Sequence, residues 1–286
     1  MSGRHVERKT PIIRIAVAIA TEDALPDAFV VWRGVEPSIR KAAEFGYDGV
    51  ELALKTADQV DPDRLRRLLG ETGLGLPCIS TGQVFAGLGL YFTATDPAKR
   101  AEVIRVFKEL IDLAAQFGAC VNIGRARGFI EKGESRDAAD ARFVEVARQL
   151  AAYAEPRGVT LILEPVNRYE INFINSVPEG AALMEKVGAA NMALMPDLFH
   201  MNIEDADIPG ELERNADCVR YVHLADSNRL APGRGHTDFR AVFGALKRMG
   251  FDGWGSVEIL PKPDPDTAAR QAIEFLAPLR EAYNRC

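Results

Sequence analysis

The feature that most constrains this chain is an alternation that repeats eight times: a short β-rich run, then a longer stretch with helical periodicity. The candidate strands are IIRIAVAI (12–19), DGVELAL (48–54), LPCIS (76–80), CVNIG (120–124), VTLILE (159–164), MALMPD (192–197), VRYVHLA (219–225) and GSVEIL (255–260). Between them lie segments such as PAKRAEVIRVFKELIDLAAQFG, where Val103, Val106, Phe107, Leu110, Leu113, Ala114 and Phe117 share one face. That segment opens after Asp96 with Pro97 at the first helical position and stops at Gly118. Two more, ending at Gly188 and Gly250, follow the same plan. Strands joined through single helices build right-handed parallel βαβ units. Eight of them in 286 residues predict a single-domain α/β fold, the closed (β/α)8 TIM barrel. An open doubly wound sheet usually carries a Gly-rich phosphate loop after its first strand. Here that strand runs into ATEDALPDAF, and neither GxGxxG nor GxxxxGK[ST] occurs anywhere.

The barrel is assigned to residues 12–286. Residues 1–11, MSGRHVERKTP, are polar, lack the apolar region of a signal peptide and read as a flexible N-terminal arm. A chain that is 47% hydrophobic and 27% charged can bury a large core. Its net charge of −6 argues against a nucleic-acid partner, which calls for a basic surface. No apolar run is long enough for a membrane span. The four cysteines, Cys78, Cys120, Cys218 and Cys286, form no CxxC pair, so unpaired thiols in a reducing cytoplasm are expected.

In a TIM barrel the C-terminal strand ends carry the chemistry. The fifth strand ends at Glu164, the sixth at Asp197, the seventh carries His223 and the eighth Glu258. His200 follows Asp197 by three residues, and His200, His223 and His236 all fall in the last third of the chain. A single Glu or His at a strand end is usually a satisfied structural group. Four on consecutive strands are different, because three carboxylates facing one axis repel unless a cation neutralises them. Three carboxylates and one imidazole suit a divalent metal, Mn2+ foremost, then Mg2+ or Co2+; Zn2+ is an alternative. Arg125 and Arg127, just past the fourth strand, could clamp a substrate carboxylate or instead form loop salt bridges to Glu131 or Glu134. The apolar residues Phe85, Leu88, Leu90, Tyr91 and Phe92 of segment 82–96 suit a lid or a subunit contact.

The motifs LEPVNRYE, PDLFHMNIE, VHLADSNRLAPGRGH and SVEIL, in register with the strands, resemble the sugar isomerase/epimerase superfamily of xylose-isomerase-like barrels. Within it they are similar to the ketose 3-epimerase branch. PCISTGQ, EPVNRYEINFIN and HLADSNRLAPGRGHTDF are especially similar to 5-keto-L-gluconate epimerases. The resemblance covers the chain from Ile12 onward. It implies a metal-dependent epimerase with Glu164, Asp197, His223 and Glu258 as ligands, Glu164 and Glu258 doubling as the catalytic acid/base pair. It also implies that Glu170, His200 and Arg229 bind substrate; the arginine pair past the fourth strand adds Arg127 as a candidate substrate-binding residue on its own chemistry. The substrate would be a keto sugar or keto sugar acid, and the protein a homodimer or homotetramer. One departure stands out: the family usually has Thr after the sixth-strand ligand, where this chain has Leu198. Asn167 and Arg168 read as braces for the loops beneath the site.

The implied chemistry is removal of the proton beside the ketone by one glutamate, giving a cis-enediolate, and return of a proton to the opposite face by the other. A hydroxypyruvate-isomerase-like aldose–ketose isomerase uses the same intermediate. An inosose-dehydratase-like elimination also starts with that proton loss. A non-catalytic sugar-binding barrel would need a damaged metal set. A nuclease like endonuclease IV would need more histidines.

Overall fold

In the computed structural model, residues 11–26 and 28–285 are described, so all of the expected arm but Pro11 lies outside the described residues, as do His5 and Cys286. The strands are β1 (Ile13–Ala20), β2 (Trp32–Arg33), β3 (Gly49–Ala53), β4 (Gly75–Ser80), β5 (Cys120–Ile123), β6 (Leu161–Leu163), β7 (Met192–Leu194), β8 (Tyr221–His223) and β9 (Gly253–Val257). The two-residue β2 pairs only with β1, a pairing the sequence did not announce. The other eight are the predicted strands. They run in the order β7-β6-β5-β4-β3-β1-β9-β8, every pair parallel. Single bridges from Leu194 to Val219 and from Asp197 to His223 bring β7 and β8 together and close the ring.

The helices are α1 (Val35–Phe45), α2 (Pro62–Thr72), α3 (Gly82–Leu88), α4 (Pro97–Ala115), α5 (Arg136–Ala154), α6 (Val177–Val187), α7 (Leu198–Glu204), α8 (Ile208–Arg214), α9 (Phe239–Arg248) and α10 (Pro265–Asn284). Their starts follow from the sequence. Asp96 accepts from Ala98 N at 2.8 Å ahead of α4, and Asp238 from Ala241 N at 3.0 Å ahead of α9, each satisfying a donor the helix leaves unpaired. The predicted apolar face of α4 is buried from Val103 to Ala114, with Phe117 packed at its edge.

The strands are shorter than their apolar runs. The β6 ladder spans Leu161–Leu163, and Glu164 stands immediately past it. Staves buried on both faces read as continuous hydrophobic runs, so the pattern marks burial better than it marks ladder ends. At the opposite end of the barrel Trp254 plugs the interior. Gly49 and Gly75 make room for it: a Cβ on either would come to about 3 Å or less from the indole.

Segment 82–96 is not a loose lid. It forms α3 and then buries Leu90, Tyr91 and Phe92 in the chain's own core, where Phe92 meets Phe107 and Phe143 at ring separations of 4.9 and 5.6 Å. Among its five apolar residues Leu88 is the exposed one. No described helix is long and apolar enough to cross a membrane.

Candidate metal centre

Glu164, Asp197, His223 and Glu258 meet at the C-terminal end of the barrel, each offering one ligand atom, all within 4.8 Å of one another. His223 Nδ1 lies at the middle, 3.3 Å from Glu164 Oε1, 3.5 Å from Glu258 Oε2 and 3.6 Å from Asp197 Oδ2. Each group is aimed by a separate device. Asp197 caps α7: its Oδ1 accepts from Phe199 N at 2.8 Å, which leaves Oδ2 facing the cluster. That backbone contact orients the carboxylate without a hydroxyl at position 198. Glu164 is steadied by Asn122, whose Nδ2 donates to Oε2 at 3.1 Å and leaves Oε1 free.

His223 is oriented from beneath by Glu51. Its Nε2 lies 3.2 and 3.1 Å from the two Glu51 oxygens, and the Tyr221 hydroxyl donates to Glu51 Oε2 at 3.0 Å. The carboxylate can only accept, so Nε2 carries the proton and Nδ1 presents a lone pair. That Nδ1 is buried and has no hydrogen-bond partner. An orphaned imidazole lone pair ringed by three carboxylate oxygens fits a divalent cation, and the carboxylate–histidine pair behind it is the usual support for such a ligand.

The electrostatics follow from the crowding. Burial pushes Glu258 up to about 8, against the pull of His223 and Arg229. Burial pushes Asp197 and Glu164 upward too. The charge of Arg229 outweighs it at Asp197, joined in the acid range by that of a protonated His200, and the hydrogen bond and charge of His223 outweigh it at Glu164, so both stay well below the usual carboxylate range. Burial works against a second proton on His223, but Glu51 and then Glu258 favour it and hold the pKa well above the ordinary value, so in the cation-free site Nδ1 also takes up a proton, which a cation would displace to reach the lone pair. Arg229 donates to Asp197 Oδ2 at 2.5 Å and also to Glu258 Oε2. It is held between the rings of Phe29 and Phe199, 4.4 and 5.0 Å from its guanidinium carbon, and its backbone φ of 62° is the left-handed conformation that side chains rarely adopt. Strain of this kind collects at functional sites.

His200 and Glu170 complete the wall. Tyr169 N donates to Asn167 Oδ1 at 2.9 Å, which fixes that amide. Asn167 Nδ2 therefore faces His200 Nδ1 at 2.8 Å and Glu170 Oε1 at 3.1 Å. His200 Nδ1 accepts, so its Nε2–H points toward the cluster, 3.9 Å from Glu164 Oε1 and Asp197 Oδ2 and too far to bond either. Burial lowers the His200 pKa to about 4, so the ring is a neutral donor. Burial raises Glu170. The loop bearing Asn167 and Glu170 is pinned to α7 by Glu204, which accepts from Arg168 N at 2.6 Å and from its guanidinium at 2.7 and 3.0 Å. Asn167 and Arg168 are thus braces. Glu164, Glu170, His200, Arg229 and Glu258 line one cavity of about 60 Å³.

The expectation for Arg127 is overturned. Its side chain is fully buried and donates to four backbone carbonyls: Phe173 at 2.7 Å, Glu164 at 2.7 Å, Ile174 at 3.0 Å and Gly124 at 3.2 Å. It ties strand-end loops together and has nothing left for a substrate. Nor does either arginine pair with the anticipated acids: Glu131 accepts from Tyr91 and Thr95, and Glu134 from Arg142. Arg125 lines the cavity instead. His236 stands apart, against Ser227. Glu51 and Asn122 were missed, although Glu51 in DGVELAL carries the signal that singled out Glu164, a carboxylate in an apolar strand. It lies in the middle of its strand, away from the C-terminal end that carries the chemistry.

Comparison with known proteins agrees with this geometry. A family described as "Xylose isomerase-like TIM barrel" matches residues 39–279. An L-ribulose 3-epimerase of Methylomonas sp. is 32% identical over 268 residues, covering 85% of this chain and 91% of that one. A ketose 3-epimerase of Arthrobacter globiformis is 30% identical over 228 residues, covering 77% and 75%. The crystal structure of a Methylomonas D-allulose 3-epimerase in complex with D-allulose superimposes with a TM-score of 0.77 at 26% identity, covering 94% of this chain and 99% of that one. These relatives leave the non-catalytic sugar-binding barrel without support.

Replacing Glu51 by Gln tests the support of His223. Mn2+ binding, followed by calorimetry, should weaken by about 10- to 100-fold while the fold is kept. Unchanged affinity would mean that Glu51 does not set the imidazole.

Proposed function

The chain belongs to the xylose isomerase-like TIM barrel family and is a sugar epimerase or isomerase, and from that premise we propose that it inverts the carbon next to the ketone of a keto sugar, with Glu164 and Glu258 as the proton-transfer pair. The observation that carries this reading is the placement of two glutamates immediately past β6 and β9, with β7 and β8 between them, around one cavity that His200 and Arg229 also line. A divalent ion held by Glu164, Asp197, His223 and Glu258 supplies Lewis acidity toward the substrate's oxygens when bound, and the oxygen-rich donor set favours Mn2+, with Mg2+, Co2+ and Zn2+ as alternatives.

One glutamate removes the proton from the hydroxyl-bearing carbon to give a cis-enediolate. The other delivers a proton to the opposite face. The His200 Nε2–H and the Arg229 guanidinium steady the negative charge that builds on the enediolate oxygen. Glu170 accepts from a neighbouring hydroxyl. Aldose–ketose isomerisation shares the first step and differs in the carbon that regains the proton. The free thiols of Cys78, Cys120 and Cys218 suit a cytoplasmic enzyme.

For substrate class we favour a keto sugar acid. The support is Arg125: half-buried, at the cavity wall, with its guanidinium 5.8 Å from the Phe85 ring and no carboxylate partner among the described residues. A charged hydrogen bond to a substrate carboxylate contributes about 1.5–3 kcal/mol, roughly 10- to 150-fold in affinity.

Two outcomes test this. With Mn2+ bound, Glu164→Gln and Glu258→Gln should each stop epimerisation, yet one should still exchange the substrate proton in D2O, starting from one epimer alone. Full epimerisation by either variant contradicts the two-base scheme, and deuterium on a different carbon would make the enzyme an isomerase. Arg125→Ala should lower kcat/KM for 5-keto-L-gluconate by about 10-fold or more, and much less for D-tagatose. Equal losses would show that Arg125 supports the loop and not the substrate.

A further inference from the structure

Asn122 is the third residue of β5, almost fully buried, and lines the reaction cavity beside Glu164. Its amide orientation is fixed. Nδ2 donates to Glu164 Oε2 at 3.1 Å and lies 3.9 Å from Met195 Sδ, and the flipped amide would press its oxygen against a carboxylate. Oδ1 is then a buried acceptor with no partner in the protein. Buried polar atoms are rarely left so, and an orphan in a cavity wall marks where a ligand donates. Gly124 packs beside it, and no larger residue fits there: a Cβ would stand 2.9 Å from Asn122 Oδ1 and 3.1 Å from Glu164 Oε2.

Building on the epimerase reading above, we propose that Asn122 contacts substrate, its Oδ1 accepting a hydrogen bond from a sugar hydroxyl beside the carbon that reacts at Glu164. The chemistry of the atom selects the group. A carbonyl or carboxylate of the substrate cannot donate to Oδ1, whereas a hydroxyl can. Asn122 thus has two separable roles. Nδ2 positions Glu164, and Oδ1 reads whether the substrate carries a hydroxyl at that point. A site built to bond a hydroxyl discriminates against the analogue that lacks it.

The roles separate in one experiment: proton exchange and epimerisation of D-fructose and its 4-, 5- and 6-deoxy analogues by wild type, Asn122→Ala and Asn122→Asp, with Mn2+ content measured for each. One deoxy analogue should react about 10-fold more slowly than D-fructose with the wild type. Asn122→Ala should slow D-fructose by about the same factor and leave that analogue within about twofold. Asn122→Asp keeps an acceptor in place, so it should retain the preference for the hydroxyl even if repulsion at Glu164 slows every substrate. A uniform loss for all four sugars with Asn122→Ala would reduce Asn122 to a positioning residue for Glu164, and no loss would remove it from the site. If the wild type processes no keto sugar, the epimerase reading fails, and calorimetry of D-fructose and the deoxy sugars with the Mn2+-loaded protein still reads Oδ1. The affinity gap between one deoxy sugar and its parent should vanish in Asn122→Ala, and a gap that persists overturns the proposal.

Discussion

Three carboxylate oxygens and an imidazole nitrogen within 4.8 Å of one another, at the buried end of a barrel, form an arrangement that like charges resist. Two unit charges about 4 Å apart repel by about 4 kcal/mol at an effective dielectric constant of about 20. A protein keeps such a cluster only if positive charge offsets it and rigid neighbours hold it in place. Arg229 supplies part of the offset through its contacts with Asp197 and Glu258. The unpartnered Nδ1 of His223 marks where a cation would supply the rest.

The rigidity comes from fixed elements, each doing one job. The first turn of α7 takes one oxygen of Asp197. Asn122 takes one oxygen of Glu164. Glu51 and Tyr221 hold His223 from the barrel interior. Arg127 holds the backbone of Glu164 itself, together with the loop at Phe173 and Ile174. Each of these partners satisfies an atom that faces away from the cluster; of the inward atoms, Glu164 Oε1 and His223 Nδ1 stay without a hydrogen bond, while Asp197 Oδ2 and Glu258 Oε2 are shared with Arg229. Ligands preorganised in this way lose little freedom when a cation arrives.

Much of this was legible in the sequence. The eight staves and the helix starts at Asp96 and Asp238 follow from periodicity and capping residues, because burial and unpaired helix donors leave a local trace. The four ligands were legible because Glu164 and Asp197 end apolar runs and His223 and Glu258 interrupt theirs near the end, on four consecutive strands. The failures share one cause. Arg127 and Arg125 look alike in GRARGF, yet one turns into the protein and the other to the cavity, and a turn of the backbone decides which. Glu51 and Asn122 work through contacts with residues far along the chain, His223 and Glu164, that no local pattern encodes. Leu90, Tyr91 and Phe92 suit a lid or a subunit contact in the sequence because they sit in a connecting segment, but the barrel folds that segment inward.

The central claim, that Glu164, Asp197, His223 and Glu258 bind one divalent cation, is tested most directly by titrating chelator-treated protein with Mn2+ and following free Mn2+ by electron paramagnetic resonance. The wild type should take up one ion per chain, and Asp197→Ala and His223→Ala, still folded by circular dichroism, should take up none at the concentration that fills the wild type. Stoichiometric Mn2+ in either variant, or none in the wild type, would contradict the account.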